Sequence, residues 1–154
     1  MKEIHIILKN AILTTVLIGG LFFLSKLLGL HENPYLRFLN LLFVVYGIRQ
    51  AVKTNIEINN ETNYITNLGL GLQTSALAVL FSIIGVVVYI EFIDPEFLLV
   101  MENSFLIGGN LSVAEIFITL FIEGMASTFA GSFIVMMFYK NHDKVLATAQ
   151  TSAI

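Results

Sequence analysis

Glu123 lies near the middle of an otherwise apolar segment, residues 116–138, that is long enough to cross a lipid bilayer. A carboxylate in hydrocarbon is energetically costly, and such residues usually bind a partner or take part in transport. Every fourth residue around it is polar or small, and these residues form one stripe along a helix: Thr119, Glu123, Ser127 and Gly131. We expect this stripe to contact protein rather than lipid.

Three roles are open for Glu123. Because desolvation favours the neutral form of a carboxyl group, a protonated Glu123 could join helices by a hydrogen bond. Residues at a similar depth that could accept it are Tyr46, Asn40 and Ser82. The alternatives are a proton or cation pathway and a contact with a charged group on another subunit. Preserved assembly and activity in a Glu123→Gln variant would exclude the proton pathway.

Two further charged residues are predicted at one edge of the bilayer. Glu115 follows Ser112 by three residues, which is the spacing of a capping box at a helix start. Arg37 lies one turn into another apolar segment, at a similar depth. We predict either an ion pair between Arg37 and Glu115 or an Arg37 side chain that extends to the lipid headgroups.

The composition requires a membrane around these groups. The chain has 154 residues, of which 56% are hydrophobic and 12% charged, and its mean hydropathy is +0.85. A soluble domain has about 25% charged residues, so this chain has too little polar surface for a water-soluble globule. We predict a single all-α membrane domain that includes residues 1–154.

Other classes of chemistry have little support. The net charge of −3 gives no reason to expect nucleic-acid binding. The chain has no cysteine, which excludes disulfides and thiolate metal sites. Its three histidines fall in separate segments: His5, His31 and His142. We therefore predict no cofactor, no metal site and no catalytic residues.

Four membrane-spanning helices are predicted at about residues 11–28, 35–52, 68–93 and 112–139. Lys2 and Lys9 resemble the basic start of a signal peptide, but the apolar run continues to Leu30 without a cleavage motif, which favours an uncleaved helix. The polar residues 53–63 are either a loop or a solvated helical extension. Residues 95–107 are too short to span, and they predict a short helix in the membrane interface.

Basic residues predict the orientation of the spans. Six of them fall on one side: Lys2, Lys9, Arg49, Lys53, Lys140 and Lys144. The other two, Lys26 and Arg37, lie on the opposite side near the first loop. Both termini should therefore be cytoplasmic. The opposite side is acidic, either as a solvated face or as a surface that attracts cations; its residues are Glu32, Glu91, Asp94, Glu96 and Glu102.

Small residues predict where the helices pack, because helices in lipid associate through close contacts. In the third span they follow steps of four and three: Gly71, Ser75, Ala78, Ser82 and Gly85. In the fourth span Ser127 and Gly131 form one pair, and Ala126 and Ala130 form another. We predict that these two spans pack together, and that Gly131→Leu disrupts the bundle.

The sequence resembles a family of small four-helix bacterial membrane proteins, common in Bacteroidetes, to which no function is assigned. The resemblance lies in Tyr46-Gly47-Ile48-Arg49 and Tyr64-Ile65-Thr66 and covers about a third of the chain. The chain departs from the family pattern at Asn63 and Leu68-Gly69-Leu70, where the family has a glycine and a basic residue. The resemblance implies a bacterial inner-membrane location and no activity.

The prediction for function is a non-catalytic accessory or interaction subunit of a larger membrane complex. The soluble segments are too small for an enzyme site, and much apolar surface remains for lipid and for other membrane subunits. The alternative is a small oligomeric ion or proton transporter that uses Glu123. A membrane enzyme that acts on lipid is the third class, but the sequence contains no paired catalytic set.

Overall fold

The computed structural model describes residues 2–30, 35–104 and 112–140, except for the side chains of residues 36, 37, 103 and 104. Within these ranges the chain forms helices and no strands, which confirms the predicted all-α class. The helices are α1 (Glu3–Leu27), α2 (Leu36–Asn59), α3 (Tyr64–Phe92), α4 (Phe97–Ser104) and α5 (Val113–Tyr139).

Three of the helices fit a multi-pass membrane protein. α1, α3 and α5 are each long and apolar enough to cross a bilayer. α2 has 24 residues, a length of about 36 Å, but it is not among them. Its second half carries Arg49, Gln50, Lys53 and Asn55, which lower its mean hydropathy. Three of the four predicted spans therefore coincide with helices that are long and apolar enough to cross a bilayer, and the span at residues 35–52 stays a prediction.

α1 ends in a Schellman motif. The Leu30 amide donates to the Ser25 carbonyl over 2.8 Å, and the Gly29 amide donates to the Lys26 carbonyl over 3.1 Å. Gly29 has a φ of 68°, a left-handed conformation that costs glycine little. The motif satisfies carbonyl groups that a helix end would otherwise leave without donors.

α2 and α3 form a hairpin with a short turn. α2 continues to Asn59, so residues 53–59 are the helical extension rather than the loop. Asn60 then reverses the chain with a left-handed φ of 52°. Asn63 caps α3, because its side-chain oxygen accepts from the amides of Ile65 and Thr66 over 2.9 and 3.2 Å.

The four long helices alternate in direction around α3, which contacts α1, α2 and α5. Ile6, Ala51 and Leu70 pack together at one end of the bundle, while Tyr89, Phe97 and Ile116 pack together at the other. We call the first the basic end; it carries Lys2, Lys9, Arg49, Lys53 and Lys140. We call the second the acidic end; it carries Glu91, Asp94, Glu96 and Glu102.

α4 is a short helix at the acidic end. Phe97 and Met101 are buried against Tyr89 and Ile116, whereas Leu99 on the opposite side is exposed. The predicted helix at residues 95–107 therefore begins at Phe97, and its last residues, 105–107, lie outside the described residues.

Candidate functional site

Glu123 lies on the outer surface of the bundle and not inside it. Its side chain is exposed, as are the neighbouring Ile122 and Phe129. It is ten residues into α5, which places it about 15 Å along the helix from its first residue. Glu123 is therefore not buried in the helix bundle of this chain, and the expected contact with protein rather than lipid stays a prediction.

Helix geometry explains why Glu123 is exposed while Gly131, on the same stripe, is buried. Each step of four residues turns about 40° around an α-helix with 3.6 residues per turn. A four-residue stripe therefore winds around α5 and does not stay on one face. Thr119 and Ser127 are half-buried and Gly131 is buried, while Glu123 between them faces outward.

Gly131 packs against α2 rather than α3. A Cβ at Gly131 would lie 3.1 Å from Ile48 Cδ1 and 3.3 Å from Val45 Cγ2, both on α2. The contact between α3 and α5 involves other small residues: a Cβ at Gly124 would collide with Val79, and Ser132 faces Gly71. The two helices do contact each other, but Gly131 faces α2, and Ala126 and Ala130 are exposed.

The row of small residues predicted in the third span, from Gly71 to Gly85, is buried over only part of its length. Gly71, Ser75 and Ala78 are buried, and a Cβ at Gly71 would lie 2.9 Å from Ile48 Cγ2. Ser82 is half-buried, and Gly85 is exposed with nothing within 4 Å of a Cβ built on it. A seven-residue repeat drifts about 20° per heptad on a straight helix, so two heptads turn Gly85 away from the contact.

Glu115 forms the predicted capping box at the start of α5. Its carboxylate accepts from the Ser112 amide over 2.7 Å and from the Ser112 hydroxyl over 2.8 Å. The Ser112 hydroxyl accepts from the Glu115 amide over 3.3 Å. The side chain of Arg37 lies outside the described residues, so the ion pair between Arg37 and Glu115 stays a prediction.

A charged cluster that the sequence did not indicate joins α1 to α3 at the acidic end. Lys26 forms an ion pair with Asp94 over 2.9 Å and donates to the Tyr89 hydroxyl, which itself donates to Asp94 over 3.2 Å. The Lys26 ammonium lies 4.8 Å from the centre of the Tyr89 ring. The Lys26 hydrogen bond holds the pKa of Asp94 below its usual value.

Aromatic rings surround this cluster. The rings of Phe22 and Phe97 each pack edge-to-face against Tyr89, with centres 5.1 and 5.4 Å away. Tyr89 therefore joins α1, α3 and α4 through its ring as well as its hydroxyl. Sequence reasoning placed Lys26 and Asp94 on one side of the membrane, but the contact joins residues that are 68 positions apart.

A chain of asparagine side chains holds the basic end. Asn59 donates to Asn55 over 2.7 Å, Asn55 donates to Asn67 over 3.0 Å, and Asn67 donates to the Glu61 carbonyl over 2.8 Å. Asn55 and Asn67 are fully buried, with exposed fractions of 0% and 2%. The sequence analysis did not predict this network, although the spacing of Asn55 and Asn59, four residues apart on α2, is a signal that could have indicated part of it.

The comparisons with known proteins add no relative. No protein-family model matches the chain. Neither the curated proteins nor the solved structures gave a significant match. The resemblance to small four-helix bacterial membrane proteins therefore stays a prediction. Within the described ranges, no group of three or more His, Cys, Asp or Glu residues could hold a metal ion.

Proposed function

We propose that this protein is a non-catalytic subunit of a larger assembly in a bacterial inner membrane, and that the outer face of α5 contacts another membrane subunit. The position of Glu123 carries this proposal. Its carboxyl group is exposed in the middle of a helix that is long and apolar enough to span the bilayer. Contact with another protein would shield this group from lipid, where a carboxyl is costly.

Small residues beside Glu123 support the same interface. Ala126 and Ala130 follow it at steps of three and four, and both are exposed. Residues at these steps share one face of a helix. Small side chains let two membrane helices approach closely, so this face suits a helix partner better than it suits lipid.

We propose α2 as the fourth span. The outward side of its first half is apolar, because Phe38, Leu42 and Tyr46 are all exposed. Arg49 and Lys53 follow on the same side and would lie at the membrane surface, where Lys53 pairs with Glu57 over 3.6 Å. The inward side of α2 is covered by α1, α3 and α5.

The two ends of the bundle support an orientation. Basic residues are retained on the cytoplasmic side of membrane proteins, so we place the basic end, and with it both termini, in the cytoplasm. α4 then lies at the opposite membrane surface. Its buried Phe97 and Met101 face the bundle, and its exposed Leu99 would face the interface between lipid and water.

Copurification tests the proposal. The tagged chain, extracted from its native membrane in mild detergent, should retain at least one different membrane protein at a constant ratio. Ala130→Leu adds bulk to the proposed interface and should release that partner. Gly20→Leu adds comparable bulk on the exposed face of α1, where nothing lies within 4 Å of a built Cβ, and should retain the partner. Recovery of the parent chain as a monomer without a partner would contradict the proposal.

A homo-oligomer would favour the alternative function. Copies that turn α5 toward a common axis would place their Glu123 residues on one shared path, because Glu123 faces outward from each copy. Such an assembly would suit an ion or proton transporter. In that case Glu123→Gln should abolish proton or cation flux in proteoliposomes while the oligomer remains intact.

A further inference from the structure

Two buried hydroxyl groups in the core of the bundle differ from eight other helical hydroxyls. Eight serines and threonines donate to the carbonyl four residues earlier, at 2.7 to 2.9 Å: Thr14, Thr15, Ser25, Thr54, Thr74, Ser75, Ser82 and Thr119. Thr128 and Ser132 are fully buried, yet their hydroxyls have no hydrogen-bond partner among the described residues.

The register of α3 and α5 shows what lies opposite these hydroxyls. Gly124 faces Val79, and Ser132 faces Gly71, where a built Cβ would lie 3.8 Å from the Ser132 oxygen. α3 and α5 are antiparallel. Gly124 and Ser132 are eight residues apart on α5, and Val79 and Gly71 are eight residues apart on α3. Thr128, halfway between Gly124 and Ser132, therefore lies opposite Ser75. Three buried hydroxyls thus share one short segment of the contact between α3 and α5.

We propose that Thr128, Ser132 and Ser75 bind one ordered water molecule between α3 and α5. A buried hydroxyl without a partner is costly, and internal water commonly satisfies such groups with two to four hydrogen bonds. Side chains four residues apart on a helix have Cβ atoms about 5 to 6 Å apart, which one water can bridge at about 2.8 Å from each oxygen.

The third partner is available on α3. The Ser75 hydroxyl donates to the Gly71 carbonyl over 2.9 Å, so its oxygen can still accept from the water. Gly71 lies beside both Ser132 and Ile48 of α2, because a Cβ built on it would lie 3.8 Å from the Ser132 oxygen and 2.9 Å from Ile48 Cγ2. The site is about 22 Å along α5 from its first residue, near the middle of the helix. The water would be the polar link between two helices whose contact is otherwise made by small and apolar groups.

A matched pair of threonine variants tests the proposal. Thr128→Val removes the hydroxyl with little change in shape and leaves the water with fewer partners. Thr74→Val is the control, because Thr74 is equally buried and its hydroxyl donates within its own helix over 2.8 Å. We expect Thr128→Val to raise the equilibrium constant for unfolding in detergent about five- to tenfold more than Thr74→Val does. An equal or smaller effect of Thr128→Val would overturn the proposal.

A measurement on the unmodified chain keeps the proposal testable if Thr128→Val does not fold. In NMR spectra of the threonine-methyl-labelled protein in detergent, the Thr128 methyl group should show a cross-peak to a long-lived water. The Thr74 methyl group should show none. Absence of the Thr128 cross-peak in the folded protein would overturn the proposal.

Discussion

The two ends of the bundle are held together by different interactions. At the basic end, Asn55 and Asn67 form a neutral amide chain that is closed to solvent. At the acidic end, Lys26 and Asp94 form an ion pair whose side chains remain 38% and 30% exposed, with the buried Tyr89 ring beneath it. The polar groups are thus neutral where they are buried, and charged where solvent reaches them.

This difference indicates where the stability of each end resides. A buried amide that loses its partner pays the full cost of desolvation. A half-exposed ion pair contributes little, because solvent screens the charges. We therefore expect hydrogen bonds to stabilise the basic end and aromatic packing to stabilise the acidic end, with only a small contribution from the ion pair.

The largest effect should follow from removal of the Tyr89 ring. Tyr89→Ala deletes a side chain that packs against Phe22 and Phe97, and it should lower the free energy of unfolding by about 3 kcal/mol. Tyr89→Phe keeps the ring and removes only the hydroxyl. Chemical denaturation in detergent should show a much smaller loss for Tyr89→Phe, and equal losses would mean that the hydroxyl dominates.

An intermediate effect is expected at the basic end. Asn67→Ala should lower the free energy of unfolding by about 2 kcal/mol, because it leaves the buried amide of Asn55 without an acceptor. The double variant with Asn55→Leu and Asn67→Leu removes both partners. Its loss of unfolding free energy should be smaller than the sum of the losses for Asn55→Leu alone and Asn67→Leu alone. Additive losses in this double-mutant cycle would show that the two amides are not coupled.

The smallest effect is expected for the ion pair. Lys26→Met keeps most of the apolar stem of the side chain and removes its charge, and it should destabilise the protein less than Asn67→Ala does. Thermal unfolding of both variants in the same detergent compares them. A larger loss for Lys26→Met would mean that the ion pair, and not aromatic packing, holds the acidic end.

The pH dependence provides a second check on the acidic end. The pKa of Asp94 is lower in the folded protein than the usual value of about 3.9, because Lys26 stabilises its carboxylate. The contribution of the pair should therefore be fully present above pH of about 4 and be lost as the pH falls through the lower, folded pKa. Lys26→Met should weaken this acid dependence, because Lys26 lowers the pKa of Asp94 more than any other group does. Unfolding measurements at pH 3 and pH 6 on the parent and the variant would detect the difference.

Features that depend on neighbouring residues were easier to predict from the sequence than contacts between residues far apart in the chain. The Ser112 and Glu115 capping box could be predicted because its residues lie within one turn. The helices appeared near their predicted positions because long apolar runs determine them. Gly131 was assigned to the wrong neighbour, since a small residue favours a close contact without specifying which helix makes it. The Lys26 and Asp94 pair depends on how α1 and α3 are rotated about their axes, which no local pattern specifies.

Site-specific photo-crosslinking in native membranes tests most directly whether α5 contacts another subunit. A photoreactive residue would replace Ala126, beside Glu123 on the exposed face of α5, and Val16, on the exposed face of α1, in separate variants. We expect the Ala126 variant to crosslink to a protein and the Val16 variant to crosslink to lipid. Lipid adducts alone from both positions would contradict the proposed interface.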